Sequence, residues 1–226
     1  MNFENKLNLG TGCYTASEIA HILQLPYYKV HTWMNKYWDG NLGKEFGEKY
    51  SWTIDNSRAV SFHTLVEFYV MMQLSEAGVK PKEVLKAHSL LSHQFNTAFP
   101  FAQKALLEGM QTDGKKVYLH FEDQILSLDG SQQLNLGLIK AFFKNLEFDG
   151  NEMASRFWPM GKDKSVVIDP ERKFGHPIIN GHNIYPEVLH SHIKAGDPKE
   201  YIALIFEITE KEVQDAIDYC QLNQAA

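Results

Sequence analysis

Cysteine is nearly absent from this 226-residue chain: Cys13 and Cys220 stand near opposite ends. Two such residues make neither a disulfide framework nor a cysteine-rich zinc site, which fits a reducing cytoplasm. No apolar run approaches the roughly 18 residues that a membrane-spanning helix needs, so no membrane partner is expected. The opening Met1-Asn2-Phe3-Glu4-Asn5-Lys6 has no basic segment followed by an apolar one, and a secretory signal is not expected either. There is no nucleophile elbow, no phosphate loop and no glycine-rich dinucleotide fingerprint. None of the ten histidines forms an i,i+4 pair around a glutamate base or joins a cysteine at metal-site spacing. The expectation is a chain without catalysis, metal or cofactor. There is also no low-complexity tract and no close internal repeat.

What is present is an ordinary globular balance. Hydrophobic residues make up 44% and charged residues 22%, enough for a sizeable core and too apolar for dominant disorder. The net charge of −6 is uneven. Residues 1–144 carry 14 Lys and Arg against 14 Asp and Glu, whereas residues 145–226 carry 8 against 14. An acidic chain argues against nonspecific coating of nucleic acid, but a small DNA-reading module with local contacts is compatible with it. The acidic C-terminal part could face a basic partner.

Capping and periodicity set out the elements. Thr15 and Glu18 have capping-box spacing, and Ile19, Ile22 and Leu23 share one helical face. Pro26 stops that helix and opens a second, Tyr27 to about Tyr37, with Val30, Trp33 and Tyr37 inward. Two short helices with a tight joint read as a helix-turn-helix. Tyr50–Ile54 and Ala59–Phe62 read as a hairpin, or wing, turning at Asp55-Asn56-Ser57. Helices follow from about His63 to Ala77, ended by Gly78, and from Pro81, with Val84, Leu85, Leu91 and Phe95 buried. Further on, a helix is expected over Ala98–Gly109, a hairpin over Lys116–Phe121 and Gln124–Leu128, a helix over Leu138–Leu146, and a loop at Glu147–Asn151. Val166-Val167-Ile168 reads as a strand. Helices start at Pro186, after Asp197-Pro198, where the aspartate would cap, and at the Thr209–Glu212 capping box. In the middle helix of these three, Ile202, Leu204, Ile205 and Phe206 are expected to pack inward. In the last, Val213, Ala216, Ile217 and Cys220 form the apolar face.

On the second helix Tyr28, Lys29, His31, Thr32, Asn35 and Lys36 project outward. These residue types donate hydrogen bonds to phosphates and base edges, although arginine, the commonest major-groove reader, is missing from the helix. Lys44, Lys49 and Arg58, near the hairpin, could add phosphate contacts. These three could equally form a solvated surface, and the two helices with their proline joint could be ordinary bundle packing.

Two resemblances bear on these residues. Thr15 to Trp33, the hairpin region, and the Leu65-to-Val84 helix pair with Glu76-Ala77-Gly78-Val79-Lys80-Pro81 resemble a MerR-like winged helix-turn-helix domain over roughly residues 14–95. Where such domains often have Ser-Pro-Arg and a further Arg, this chain has Pro26-Tyr27-Tyr28 and His31. Val167-Ile168-Asp169-Pro170, Gly175-His176-Pro177-Ile178-Ile179, Ala195-Gly196-Asp197-Pro198, Ile208-Thr209, Val213, Ala216-Ile217 and Tyr219 resemble a small bacterial domain of unknown function found in VapB-type antitoxins. That likeness covers about residues 165–222. Asp113-Gly114-Lys115-Lys116 and Arg156-Phe157-Trp158-Pro159 also look like long members of that antitoxin group. His182-Asn183 stands where such domains often carry Thr-Arg.

The resulting expectation is a mainly α chain. Its N-terminal unit, residues 1–95, is a winged helix-turn-helix; residues 96–164 form a small α+β segment; residues 165–226 form a helix-turn-helix-like three-helix domain. The resemblance implies a DNA-binding antitoxin of a type II toxin–antitoxin system. Such a protein neutralises a PIN-like ribonuclease toxin and represses its own operon. Its partners would be duplex DNA of its own promoter, the toxin and a second copy of the chain. The other reading is a stand-alone MerR-like transcriptional regulator that senses a small ligand.

Overall fold

A computed structural model describes residues 6–54, 57–105, 110–112, 116–121, 124–129 and 143–222. The architecture is mainly α with small antiparallel sheets. Strand β1 (Tyr14–Thr15) leads directly into helix α1 (Ala16–Ile22). The reciprocal cap is formed: Thr15 N–H donates to Glu18 Oε2 at 2.7 Å and Glu18 N–H donates to Thr15 Oγ1 at 3.3 Å. After a turn at Leu23-Gln24, helix α2 (Tyr27–Thr32) starts behind Pro26.

The second helix does not stop near Tyr37. It continues as a π-helix over Trp33–Leu42 and a last α turn, α3 (Gly43–Phe46), ending at Gly47 with φ +75°. Gly40 and Gly43 lie inside this helix and Gly47 ends it. Gly43 packs so closely that a Cβ there would sit 2.4 Å from the Glu48 carbonyl oxygen. The widened turns let Trp33, Met34, Trp38 and Leu42 all reach the core.

Strands β2 (Ser51–Ile54) and β3 (Ser57–Val60) form the expected hairpin; its residues 55 and 56 lie outside the described set. β1 pairs with β3, Tyr14 opposite Val60, which completes a three-stranded sheet in the order β1-β3-β2. Helix α4 (Phe62–Glu76) is buried on almost every side. It is the spine of the first hydrophobic cluster, with Trp33 and Trp38 edge-on to Phe68 at 5.9 and 4.6 Å. Helix α5 (Pro81–Phe95) lies against it and ends at Asn96 in the left-handed conformation. Between them Glu67 and His88, both fully buried, meet at 2.6 Å. Glu67 also accepts the Phe101 N–H at 2.9 Å, and the rings of Trp38, Tyr50 and Phe101 surround His88 edge-on. Burial pushes the Glu67 carboxyl up, against the lowering pull of His88 and the Phe101 amide.

The middle of the chain begins with a 3-10 turn, Pro100–Ala102, rather than a continuous helix from Ala98. The remainder of that expected helix, 106–109, and residues 138–142 of the expected Leu138–Leu146 helix lie outside the described residues. β4 (Met110–Thr112), β5 (Lys116–Phe121) and β6 (Gln124–Asp129) form a second three-stranded sheet around the expected hairpin. β7 (Leu146–Phe148) pairs with β8 (Ala154–Phe157), so Glu147 and Phe148 are strand where a loop was expected. Leu146, Ala154 and Phe157 fill the first cluster, and that burial overrides the acidic, loop-like local sequence.

The C-terminal part has its own hydrophobic cluster. β9 (Val166–Val167) pairs with β10 (Ile178–Ile179), and α6 (Pro186–Ala195), α7 (Lys199–Phe206) and α8 (Glu210–Leu222) follow. Val166, Ile179, Leu189, Ile202, Val213, Ala216 and Tyr219 are among its buried members. The Thr209–Glu212 capping box opens α8, with Thr209 N–H to Glu212 Oε2 at 2.7 Å. Asp197 does not cap α7. Its carboxylate takes the His192 ring nitrogen at 2.7 Å, and Pro198 stands at the cap position. Leu204 and Ile205 were expected to face inward, but they face solvent, while Ile202 and Ala203 are the buried pair. The N-terminal end and the C-terminal part also touch. Cys13 N–H donates to the Phe174 carbonyl at 3.1 Å, and Gly175, φ +87°, packs where a Cβ would lie 2.0 Å from the Tyr14 hydroxyl.

Candidate nucleic-acid interface

Helix α2 and its π continuation turn one row of side chains toward the hairpin. Tyr27, His31 and Asn35 recur at four-residue intervals and line a groove of about 380 Å³. The opposite wall is Ser57 and Arg58 of β3, and the end is the start of α1: Thr15, Ala16 and Ser17. The groove thus brings together three residues that stand out in the sequence, His31, Asn35 and Arg58. It adds Tyr27, Ser17 and Ser57, which do not stand out there. The spacing of Tyr27 from His31 and Asn35 was the available signal, because one face of a helix repeats at that interval.

Arg58 is held rather than loose. Its Nη1 donates to Asn35 Oδ1 and to Asp39 Oδ2, the latter at 3.3 Å. Asp39 is buried and also accepts the Tyr50 N–H at 2.8 Å, the Ser51 N–H at 3.1 Å and the Ser51 hydroxyl at 2.5 Å. One carboxylate therefore fixes the start of β2, and through Arg58 it ties β3 to the π-helix. The Arg58 side chain remains 40% exposed, so part of its charge still faces the groove. No local pattern marks Asp39 for this role; its partners come from 11 or more residues away.

The other candidates lie outside the walls of this groove. Tyr28 is exposed. Lys29 lies over the Trp33 ring, 5.2 Å from its centroid, and Lys36 lies 6.0 Å from the Tyr37 ring. The Thr32 hydroxyl donates to the Tyr28 carbonyl at 2.8 Å, and the Asn35 amide donates to the His31 carbonyl at 2.8 Å. Lys44 and Lys49 are exposed on α3 and just beyond it. A second groove, about 350 Å³, runs between the π-helix and α5 and is lined by Tyr37, Asn41, Glu45, Lys82, Lys86 and Ser89 among others. Lys82 and Lys86, four apart on α5, are cations that sequence patterns do not connect to the second helix, because the tertiary fold alone sets α5 beside the π-helix. Partial burial would raise the Glu45 carboxyl, but hydrogen bonds from Ser89 and His93 outweigh it and the group titrates below its usual range. Glu45 is therefore anionic at neutral pH and partly offsets the two lysines.

Among the described residues no group of three or more His, Cys, Asp or Glu is arranged to hold a metal ion, and no helix is long and apolar enough to cross a membrane. The surface chemistry is that of hydroxyl, amide, imidazole and cationic donors beside exposed tyrosines, a set that suits an extended anion.

Comparison with known proteins adds three findings. A family described as a protein of unknown function, DUF433, matches residues 166–220, the segment that forms β9, β10 and the last three helices. A proposed antitoxin, VapB45, of Mycobacterium tuberculosis (strain ATCC 25618 / H37Rv) is 22% identical over 237 aligned positions, which cover 95% of this chain and 96% of that protein. The crystal structure of Rv2018 from Mycobacterium tuberculosis shares the fold with a TM-score of 0.67 at 17% identity, over 96% of this chain and all of that one.

Proposed function

We propose that this chain is a DNA-binding antitoxin of a type II toxin–antitoxin pair, without catalysis of its own. It represses its own operon and neutralises a PIN-like ribonuclease toxin. The observation that carries the DNA-binding half is the groove in which His31 and Asn35 of the second helix face Arg58 of the hairpin. In this reading α1 and α2 act as a helix-turn-helix. Tyr28, Lys29, His31, Thr32, Asn35 and Lys36 meet the major groove, while Arg58, Lys44 and Lys49 meet flanking phosphates as a wing would. The antitoxin half is supported by likeness, along nearly the whole chain, to a protein named as a VapB antitoxin. The acidic excess of residues 145–226 suits a partner whose own task is to hold RNA phosphates.

Specific reading by one small module calls for paired half-sites, so the chain acts as a dimer. Helix α4, for all its apolar run, is not free to supply the dimer interface. Leu65, Val66, Phe68 and Leu74 are spent in the chain's own core.

The test is binding to duplex DNA from upstream of the chain's own gene at several salt concentrations. Lys29→Ala with Lys36→Ala is expected to weaken binding across sequences and to flatten the slope of log affinity against log salt by about 2, roughly one for each lysine taken off a phosphate. Unchanged affinity and slope would remove these residues from the interface.

A second reading, a ligand-sensing regulator, is favoured by one observation. A cleft of about 320 Å³ is lined by Trp52, Phe62, His63 and Phe99, a set of rings suited to a flat aromatic molecule.

A further inference from the structure

Helix α7 is short and strongly apolar, and it buries only part of what it carries. Ile202 and Ala203 enter the C-terminal cluster and Phe206 packs against it. Tyr201, Leu204 and Ile205 remain 51%, 75% and 44% exposed. At i, i+3 and i+4 they form one continuous stripe rather than scattered apolar side chains, and a contiguous exposed stripe marks an interaction surface more often than an isolated residue does.

The charges beside the stripe have one sign. Glu200 lies one turn before Leu204 on the helix, and Glu207, which ends the helix in the left-handed conformation, follows Leu204 by three residues, so a carboxylate stands near each end of the stripe. Both are exposed. The helix's one cation, Lys199, lies on another side of the helix, its Nζ donating to Gln214 of α8 at 2.8 Å. A second copy of this stripe would bring no cation to face Glu200 and Glu207. A cationic protein with an apolar cleft would satisfy both features: the cleft covers the stripe, and its basic rim meets the carboxylates.

We propose that the Tyr201–Leu204–Ile205 face of α7, flanked by Glu200 and Glu207, is the surface by which this chain docks a basic protein partner. The proposal rests on the antitoxin reading and gives it a place: the partner is the toxin, and the contact is an apolar ridge entering a lysine- or arginine-rimmed cleft. The N-terminal groove plays no part in it, so DNA and toxin can be held at once.

The experiment uses the full-length chain, titrated by calorimetry against the purified protein encoded next to it, with upstream DNA binding measured in parallel. Leu204→Ala is expected to weaken the protein complex by roughly 10- to 100-fold, the effect of removing a buried leucine side chain from an interface. Glu200→Lys with Glu207→Lys is expected to weaken it and to reduce its salt dependence. Circular dichroism, melting temperature and DNA affinity should be unchanged in both variants, since these side chains are solvent-exposed. If the wild-type chain binds its neighbour and both variants bind it equally well, this docking face is wrong and the antitoxin reading stands. If the wild-type chain does not bind its neighbour, the antitoxin reading fails and this proposal fails with it. If the variants change the sedimentation state of the chain alone and leave the partner's affinity untouched, the face pairs two copies and the proposal is overturned.

Discussion

Asp215 shows how much one side chain can organise. It is buried on α8 and accepts the Ser165 N–H at 2.9 Å, the Ser165 hydroxyl at 2.8 Å, Lys164 at 3.0 Å and Lys211 at 2.6 Å. Burial alone would raise its pKa. The hydrogen bonds from Lys211, Ser165 and Lys164 outweigh that, and the carboxyl is held below the usual range. Asp218, bonded by Gln214 and then Lys164, is lowered as well. A carboxyl with a lowered native pKa stabilises the fold above the unfolded value of about 3.9, and that stability is lost as pH falls through the native value. These two carboxyls therefore add no change to the denaturant midpoint between pH 7 and 5 and are expected to lower it below about pH 4. Asp215→Ala removes the acceptor for the half-buried Ser165 amide and hydroxyl and for two lysines, and is expected to cost about 2 kcal/mol. For a chain of this size that lowers the melting temperature by about 4–8 °C, measurable by calorimetry. If the variant melts with the wild type, Asp215 does not hold α8 to the segment before β9. At this scale the sequence is partly legible: His31, Asn35 and Arg58 stand out by residue type and position, whereas Asp39 and Asp215 look like ordinary surface carboxylates until their distant partners are known.

Caps carried the element scale. Thr15–Glu18 and Thr209–Glu212 begin helices where their spacing says they should, because both partners of a capping box lie within one turn. The errors came where packing overruled a local signal. The second helix was expected to end near Tyr37, yet it runs on through Gly40 and Gly43 as a continuous helical run from Tyr27 to Phe46. Glycine is needed at 43 because the Glu48 backbone crosses there. Gly43→Ala would set a methyl 2.4 Å from a carbonyl oxygen that cannot swing away as a side chain can. It is expected to cost about 1–3 kcal/mol in overpacking and to loosen the tie between the π-helix and the hairpin. The check is a melting curve together with DNA affinity. An alanine variant as stable as the wild type would mean that the turn relaxes freely. In α7 the error ran the other way. Four large apolar residues in a run of five cannot all face one core, and periodicity did not say which two would stay outside.

At the scale of the whole molecule, the described residues form two main hydrophobic clusters. The first runs from Tyr14 to Ile168 and the second from Val166 to Cys220. A boundary at residue 144, where the charge changes, cuts through the first: Leu146, Ala154 and Phe157 belong to it, with Phe157 4.6 Å from the Tyr69 ring. A fragment of residues 1–158 should therefore melt at a higher temperature than one of residues 1–144. A fragment of residues 159–226 keeps Met160, Lys164 and all the buried members of the second cluster, and should unfold cooperatively by itself. Circular dichroism melts of the three fragments decide this. Equal melting of the two N-terminal fragments would show that β7 and β8 add nothing to the first core.

The sequence by itself determined what is local. It set the helix starts at Thr15, Pro81, Pro186 and Thr209, the hairpin of β2 and β3, the mainly α class, and the polar row on the second helix. Each depends on residues within a few positions of one another, where capping, turn chemistry and periodicity act. Only the tertiary structure decided which polar groups meet. It set Arg58 against Asn35 and Asp39, buried the Glu67–His88 pair, and brought Lys82 beside Tyr37. It also left Leu204 in water while Ile202 was covered. These outcomes depend on which surfaces remain once distant elements compete for the same core, and no window of neighbouring residues contains that competition.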